Sequence, residues 1–195
     1  MKFLICDVES TGVDAYSDFV TQIGAIKRIE KDGEVREDGF RAHVKPPDYP
    51  NIPYGEQVEE KTGIPFKEIE NFYEEEYVLR NFINWVTEGK KFSFYDRYVF
   101  IAYNANFDFN MVRRMFQRHG MLGKFNKIFI ASPMDIFSLA YCLRQKLNLT
   151  SKVQLATIAK EFGIQSQSED LHDAFNDVKL LRSLFLKLRE EGHLL

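Results

Sequence analysis

Two acids, Asp7 and Glu9, follow directly on an apolar run at the start of the chain, in the sequence MKFLICDVESTG. In an extended strand, residues i and i+2 lie on the same face, with their Cα atoms about 6–7 Å apart. The two carboxylates would therefore point the same way at the end of a buried strand, where uncompensated charge is costly. The pattern predicts a site at which something else compensates that charge.

Two further acids fall on the apolar faces of predicted helices. In IAYNANFDFNMVRRMFQRHG, Asp108 precedes the members of an apolar stripe by three, four, seven and eight residues, so it lies on that stripe. In LHDAFNDVKLLRSLFLKL, Asp177 keeps the same helical spacing to later apolar residues. An acid in the first turn of a helix is favoured by the helix dipole, which is an alternative interpretation of Asp108. Asp177 lacks that explanation, because Asp170 or Asp173 can serve as the N-cap.

A single hypothesis accounts for all four acids. Gathered carboxylates raise one another's pKa values, and divalent cations that prefer oxygen ligands relieve the repulsion. Two such cations about 3.5–4 Å apart can activate a water and stabilise the leaving oxygen of a phosphodiester. The cations would also attract phosphates, which the net charge of −3 does not. We therefore predict two Mg²⁺ (or Mn²⁺) ions, with four ligands: Asp7, Glu9, Asp108 and Asp177.

His172 lies five residues before Asp177, an offset that places the two side chains about 140° apart on an ideal helix. The two can share a site only if His172 precedes the helix, and the polar run at 165–170 favours a loop there. A neutral imidazole beside an activated water could act as a general base. A structural histidine at a helix start is the alternative. The other three histidines are interpreted as structural or solvated: His43, His119 and His193.

The apolar pattern predicts the elements that position these residues. Strands are expected at 2–8, 20–29, 35–44 and 98–103. Helices are expected at 56–62, 74–86, 107–119, 136–147, 153–162 and 174–188. An exposed turn at Asp32 and Gly33 would join the second and third strands. The early antiparallel meander, followed by alternating strands and helices, predicts an α/β domain with a mixed sheet and flanking helices.

Length and composition bound the class of protein. With 195 residues and 45% apolar content, we expect a single globular domain over 1–195. Cys6 and Cys142 occur in apolar segments without metal-type spacing, which predicts two reduced, buried thiols in a cytoplasmic protein. No apolar run is long enough for a secretory signal or a bilayer span, so we expect no membrane association.

Three motifs, DVESTG, YNANFD and HDAFND, resemble those of the DEDDh branch of DnaQ-like 3′→5′ exonucleases. Supporting segments, among them VTQIGAIK, KTGIP and LATIAKEFGI, extend the resemblance over nearly the whole chain. The resemblance implies an RNase H-like fold and the four metal ligands proposed above, with His172 as general base. It also implies attack at the 3′ end of single-stranded nucleic acid, with release of nucleoside 5′-monophosphates. Family members dimerise or associate with polymerases, so either partner is conceivable here.

The resemblance further implies a set of residues that receive the 3′-terminal nucleotide: Ser10, Thr11, Gly12, Val13, Tyr103 and Asn104. Ser10 stands where the family usually has threonine, and Tyr103 where it commonly has histidine. The Tyr103 ring could stack on a base or pack in the core. Asp135 matches a frequent family acid, but it begins a predicted helix and is also a natural N-cap.

Two other interpretations of the sequence compete with an exonuclease. A non-catalytic nucleic-acid-binding or polymerase accessory module could keep the fold, yet drift should have erased at least one of the five catalytic positions. An unrelated α/β domain with acids as surface caps leaves the two acids on apolar stripes unexplained. The sequence does not distinguish RNA from DNA, because no residue legibly senses a 2′-hydroxyl.

Overall fold

Three long strands begin the fold. The computed structural model describes residues 1–91, 96–146, 152–165 and 173–194. Strands β1 (Lys2–Ser10), β2 (Val20–Lys31) and β3 (Glu34–Lys45) form an antiparallel meander. Asp32 and Gly33 join β2 to β3, both with positive φ and both exposed. This confirms the predicted meander and its solvated turn.

Three shorter strands complete the sheet: β4 (Tyr73–Glu74), β5 (Val99–Ala102) and β6 (Met134–Asp135). The strand order is β4-β3-β2-β1-β5-β6. β1 is central, with β2 antiparallel on one side and β5 parallel on the other. The predicted mixed sheet is therefore confirmed, and β1 is the strand at which the sheet changes from antiparallel to parallel pairing.

Helices connect and cover the strands. They are α1 (Glu56–Thr62), α2 (Glu75–Thr87), α3 (Ala105–Arg118), α4 (Leu122–Ile128), α5 (Ile136–Lys146), α6 (Leu155–Glu161) and α7 (Ala174–Glu190), with a 3₁₀ helix at Phe66–Asn71. The predicted helices are all present, with ends shifted by one or two residues. α4, the 3₁₀ helix, β4 and β6 were not predicted, because segments of two to seven residues show a period only weakly. α1 is as short as α4, but Gly63 and Pro65 mark its end in the sequence.

Alternate residues of β1 face two separate cores, as the strand period requires. Leu4, Cys6 and Val8 belong to the core that contains α2, α3 and α4. Phe3 and Ile5 belong to the core that contains α5, α6 and α7. Continuing this alternation past Ile5 puts the two acids of β1 on the α7 side of the sheet.

The prediction of two buried thiols is wrong for Cys142. Cys6 is buried in β1, whereas Cys142 is exposed on α5. α5 buries Ile136, Ala140 and Leu143, and a residue two positions after Ala140 points about 200° away from it. Among the described residues, none of the helices is both long and apolar enough to cross a membrane.

Candidate active site

Strand β1 carries the first two acids into the site. The strand continues to Ser10, so Asp7 and Glu9 lie within it rather than after its end. Their neighbours across the antiparallel ladder are Gly24 for Asp7 and Gln22 for Glu9. Asp7 is partly buried and Glu9 is 7% exposed.

The first turn of α7 is held against β2 at the same level. A Cβ atom on Gly24 would lie 2.6 Å from the carbonyl oxygen of Ala174, so glycine is needed for this close approach. The Gln22 side chain accepts a hydrogen bond from Ala174 N at 2.8 Å and donates one to Asp173 Oδ2 at 2.9 Å. Asp173 caps α7 by accepting from Asn176 N at 3.1 Å, as predicted. Sheet and helix are thereby locked together next to the two acids.

This docking brings Asp177 to the acids of β1. Ligand oxygens of Asp7, Glu9 and Asp177 all lie within 4.8 Å of one another. Three carboxylates at this spacing offer hard oxygen donors, the type that Mg²⁺ and Mn²⁺ prefer. The sequence-based expectation that acids from the first strand and the last helix converge therefore agrees with the geometry.

Asp108 lies beside this three-acid group, on the first turn of α3. The side chain is 3% exposed, and Oδ1 accepts a hydrogen bond from Val8 N at 3.0 Å. The β1–β5 ladder ends at the pair Ile5 and Ile101, so Asp108 approaches β1 beyond the last residue that β5 covers. Burial raises the pKa of Asp108 to about 8, and the Val8 amide opposes that shift.

The carboxylates of the site repel one another electrostatically. The pKa of Asp7 is raised well above its ordinary value, first by burial and then by the charges of Asp108, Glu9 and Asp177. Burial, followed by the charge of Asp177, raises the pKa of Glu9 to about 8, although Lys61 opposes the shift. In the described part of the chain, no salt bridge reaches Asp7 or Glu9. The group is therefore suited to a cation that the protein itself does not supply.

The loop after β1 is closed on itself by side-chain hydrogen bonds. Ser10 Oγ donates to the Gly12 carbonyl at 2.6 Å. Thr11 is buried; its hydroxyl donates to Asp18 Oδ1 at 3.1 Å and accepts from Phe19 N at 3.0 Å. The Thr11 amide also donates to the Phe19 carbonyl at 2.9 Å, so side chain and backbone of Thr11 together hold the loop closed.

Asp18 organises this loop and was missed by the sequence analysis. Its Oδ2 atom accepts from Asp14 N at 2.8 Å, and a Cβ on Gly12 would lie 2.4 Å from the same oxygen. Val13, between these contacts, is 84% exposed. The signal for Asp18 was an acid directly before a buried strand, and the signal for Gln22 was an amide inside that strand.

Asn104 and Asp135 lie at the start of α3, the helix that carries Asp108. Asn104 has φ 68°, a left-handed conformation that asparagine tolerates better than most residues. Asp135 Oδ1 accepts from Asn104 N at 2.9 Å, Ala105 N at 3.1 Å and Phe137 N at 3.1 Å. The N-cap interpretation of Asp135 is therefore right. The same carboxylate also fixes the start of α3, the helix that carries Asp108.

The Tyr103 side chain packs against Phe137 and does not extend into solvent. Its ring meets Phe137 edge-on at 5.7 Å between centroids, and its buried hydroxyl has no hydrogen-bond partner among the described residues. Burial raises its pKa. This environment agrees with the packing interpretation. His172 lies outside the described residues, while His43 stacks on Phe72 and His119 contacts the buried Glu75.

Comparison with known families decides the class of protein. A family model for the RNase T group, described as Exonuclease, matches residues 4–185. The chain belongs to this exonuclease family. The resemblance to DEDDh-type DnaQ-like exonucleases is thereby confirmed.

The relatives include proteins much longer than this chain and one of similar length. A PolC-type DNA polymerase III of Clostridium perfringens is 30% identical over 97% of this chain, which spans 12% of the polymerase. Ribonuclease T of Photobacterium profundum is 23% identical over 95% of the chain and 80% of its own length. The chain therefore spans about an eighth of the polymerases it matches.

Solved structures share the fold. Exonuclease I of E. coli, in complex with a dT13 oligonucleotide, superposes with a TM-score of 0.75 at 19% identity, over 96% of this chain and 41% of that one. Cell-death related nuclease 4 gives a TM-score of 0.72 at 16% identity, over 98% of this chain and 64% of that one. The predicted RNase H-like fold is confirmed.

Proposed function

We propose that residues 1–195 form a metal-dependent 3′→5′ exonuclease that hydrolyses single-stranded nucleic acid to nucleoside 5′-monophosphates. The observation that carries this proposal is the group of three carboxylates within 4.8 Å. Burial and the charges of neighbouring carboxylates raise the pKa values of Asp7 and Glu9, and no salt bridge of the described residues reaches either side chain. Membership of the exonuclease family supports the same reaction.

The donor set fits two Mg²⁺ or Mn²⁺ ions. Asp7, Glu9, Asp108 and Asp177 offer only oxygen ligands. Because the pKa values of Asp7, Glu9 and Asp108 are raised, a cation must displace protons from them, and its affinity should therefore rise with pH. When bound, two such ions would activate the attacking water and stabilise the leaving oxygen of the phosphodiester. The four carboxylates that would hold the ions come from β1, α3 and α7.

Two other parts of the chain act on substrate and proton. We assign His172 the role of general base, which accepts the proton of the attacking water. The loop of residues 10–13 receives the 3′-terminal nucleotide, with exposed Val13 at its surface and Asp18 fixing its shape. Asn104 borders the site from the start of α3. Tyr103 supports that border through its packing on Phe137.

A degradation time course tests the proposal. Single-stranded RNA and DNA of equal sequence, labelled at the 5′ end, are incubated with Mg²⁺, Mn²⁺ or EDTA. We expect a ladder that shortens from the 3′ end, nucleoside 5′-monophosphates as products, and no reaction in EDTA. The ratio of the two rates gives the sugar preference. Internal cleavage, or a rate that EDTA does not change, would contradict the proposal.

A partner is the remaining part of the proposal. The PolC-type relatives carry the matching segment within a DNA polymerase, which supports association of this domain with a polymerase. The alternative arrangement is a homodimer. Light scattering on the eluting protein distinguishes a monomer from a dimer. Binding to a purified polymerase, measured with this domain immobilised, tests the first arrangement, and a monomer without measurable polymerase binding would contradict both.

A further inference from the structure

A basic groove lies between α2 and α4, and no step of the proposed reaction uses it. The groove has a volume of about 680 Å³. Five cationic side chains line it: Arg80, Lys90, Lys91, Lys124 and Lys127. Among the described residues that line this groove, none is acidic. For a chain with a net charge of −3, this is a strong local concentration of positive charge.

The groove is separate from the carboxylates. Its wall residue Ile128 accepts a hydrogen bond from Tyr98 N at 2.8 Å. Tyr98 directly precedes β5, whose first residue, Val99, pairs with Phe3 of β1. Asp7 therefore lies five residues farther along β1 than the level of Tyr98, or roughly 17 Å in the strand direction. A ligand in the groove cannot also be the nucleotide that is cleaved.

Three of the five cations are available to a ligand. Arg80 is paired with Glu76 on its own helix, and Lys90 contacts Glu88. Lys91, Lys124 and Lys127 are exposed, and no carboxylate of the described residues pairs with them. Lys124 and Lys127 are three residues apart on α4, so their side chains leave the same face. Compact ammonium groups of this kind suit phosphate oxygens.

The remaining lining favours a phosphate backbone over a protein surface. The apolar lining residues are Ile83, which is half-buried, and Ile128, which is buried. Exposed aromatic or aliphatic anchors, which dominate the binding energy of protein interfaces, are not among the described lining residues. The same lack of aromatic side chains leaves no platform for base stacking. A ligand in this groove would thus be held by charge, independently of sequence.

We propose that the groove between α2 and α4 binds the sugar-phosphate backbone of a nucleic-acid strand at a distance from the carboxylate site. This inference rests on the proposed function for the identity of the polyanion. The groove adds affinity for long substrates, which can reach both places, and adds none for a dinucleotide, which cannot.

The test compares two triple variants of equal net charge. The groove variant carries Lys91→Glu, Lys124→Glu and Lys127→Glu. The control carries Lys31→Glu, Lys67→Glu and Lys160→Glu, which are exposed and lie outside the groove. Binding of a fluorescein-labelled single-stranded DNA of about 20 nucleotides is measured by anisotropy in EDTA, over a series of salt concentrations near physiological values.

We expect the groove variant to bind about 10–100-fold more weakly, with a log–log salt slope shallower by about 2, since each phosphate contact on a single strand contributes about 0.7. The control should stay near the wild type. Equal affinities and slopes for the two variants would overturn the proposal and leave the groove to an acidic protein. Thermal unfolding curves identify a misfolded variant, and the three Lys→Gln substitutions then replace it.

Hydrolysis separates this inference from the proposed function. The groove variant should cleave a dinucleotide at the wild-type rate and show a raised KM on the long strand. If the wild type cleaves neither substrate, the proposed function fails, while the binding comparison in EDTA still decides the groove. A groove variant with an unchanged KM on the long strand contradicts the proposal.

Discussion

The two ends of strands β1 and β2 hold acids in opposite electrostatic settings. At the hairpin end, Glu30 contacts Arg189 at 2.5 Å and Arg28 at 2.6 Å. The Arg189 contact, followed by that of Arg28, lowers the pKa of Glu30 to about 2. At the other end, burial and Asp177 raise the pKa of Glu9 to about 8. The same sheet thus neutralises its acids at one end and leaves them like-charged at the other.

This difference shows where the fold serves stability and where it serves a ligand. At the hairpin end, acidic and basic side chains alternate across β2, β3 and α7. The Glu37 carboxylate forms salt bridges with Arg28 at 2.7 Å and with Arg182 at 2.6 Å. Glu30 and Glu37 there each have arginine counter-charges within the chain. The carboxylate end instead uses Gln22 and Gly24 to bring like charges together. The repulsion between these carboxylates lowers the stability of the fold, and a fold can retain such a cost when a bound cation offsets it.

The largest expected effect is on hydrolysis by variants of the carboxylate end. Asp7→Asn, Asp108→Asn or Asp177→Asn should each lower turnover by more than about 100-fold, since even partners of metal ligands contribute 10–100-fold. Glu30→Gln, at the hairpin end, should leave turnover unchanged. Rates are measured on 5′-labelled strands with Mg²⁺. A carboxylate variant that keeps a substantial fraction of the wild-type rate is not a ligand, and the contrast between the two ends then fails at that residue.

His172→Ala should lower turnover by roughly 10²–10⁴, the contribution of a general base. Binding of metal and substrate should persist, because the side chain is assigned a proton and not a ligand bond. The rate-versus-pH profile should lose its limb near about 6.5, the ordinary pKa of imidazole. His193→Ala is a matched control. If the variant keeps both the wild-type rate and the wild-type pH profile, the base is another group.

The sequence predicted the acids better than it predicted what holds them together. Asp7, Glu9 and Asp177 could be found because charge on an apolar strand or stripe is exceptional in a single chain. The helical stripe also predicted the burial of Asp108. Gln22 and Gly24 could not be assigned a role, because the close packing of α7 on β2 is a tertiary contact between residues about 150 positions apart.

The short elements and the exposure of individual residues also limited what could be predicted from the sequence. α4, which forms one wall of the basic groove, spans seven residues, less than the window in which a helical period can be recognised, and it lacks the Gly63 and Pro65 stop signals that revealed the equally short α1. Cys142 belongs to an apolar segment, yet its position relative to Ala140 turns it to solvent. The apolar composition of a segment predicts that one face of its helix is buried. The position of each residue around the helix axis decides whether that residue lies on the buried face.

Asp18→Asn should weaken substrate use by about 10–100-fold in kcat/KM, mostly through KM, because a misplaced binding loop loses orientation. Asp18 accepts hydrogen bonds from Thr11 and from the Asp14 amide, and an amide can keep only part of that pattern. Asp32→Asn, in the exposed hairpin turn, is the control. A fall in kcat with KM unchanged would contradict a role confined to positioning the loop.

Divalent metal should stabilise the protein through the carboxylate end alone. A hundredfold excess over Kd adds about 2.7 kcal/mol, which corresponds to a rise of several degrees in melting temperature. K⁺ at matched ionic strength should have no such effect. Asp7→Asn should leave the metal-free protein as stable or more stable and should blunt the response. A wild-type melting temperature indifferent to millimolar Mg²⁺ and Mn²⁺ would mean that the acids do not form a cation site.

The smallest expected effect is on the pH dependence of stability without metal, and it has opposite signs at the two ends. The ordinary pKa of both Glu9 and Glu30 is 4.5. Between about 4.5 and 8, Glu9 holds more proton in the folded than in the unfolded state, so stability falls as pH rises. Between about 2 and 4.5, Glu30 holds less proton in the folded state, so stability falls as pH drops.

Melting temperatures in EDTA should therefore decline on both sides of about pH 4.5. Glu9→Gln should flatten the alkaline side, although Asp7 keeps part of the slope because its pKa is raised as well. Glu30→Gln should flatten the acid side only. If both variants change the same side, the two ends do not differ in the way their ion pairs indicate.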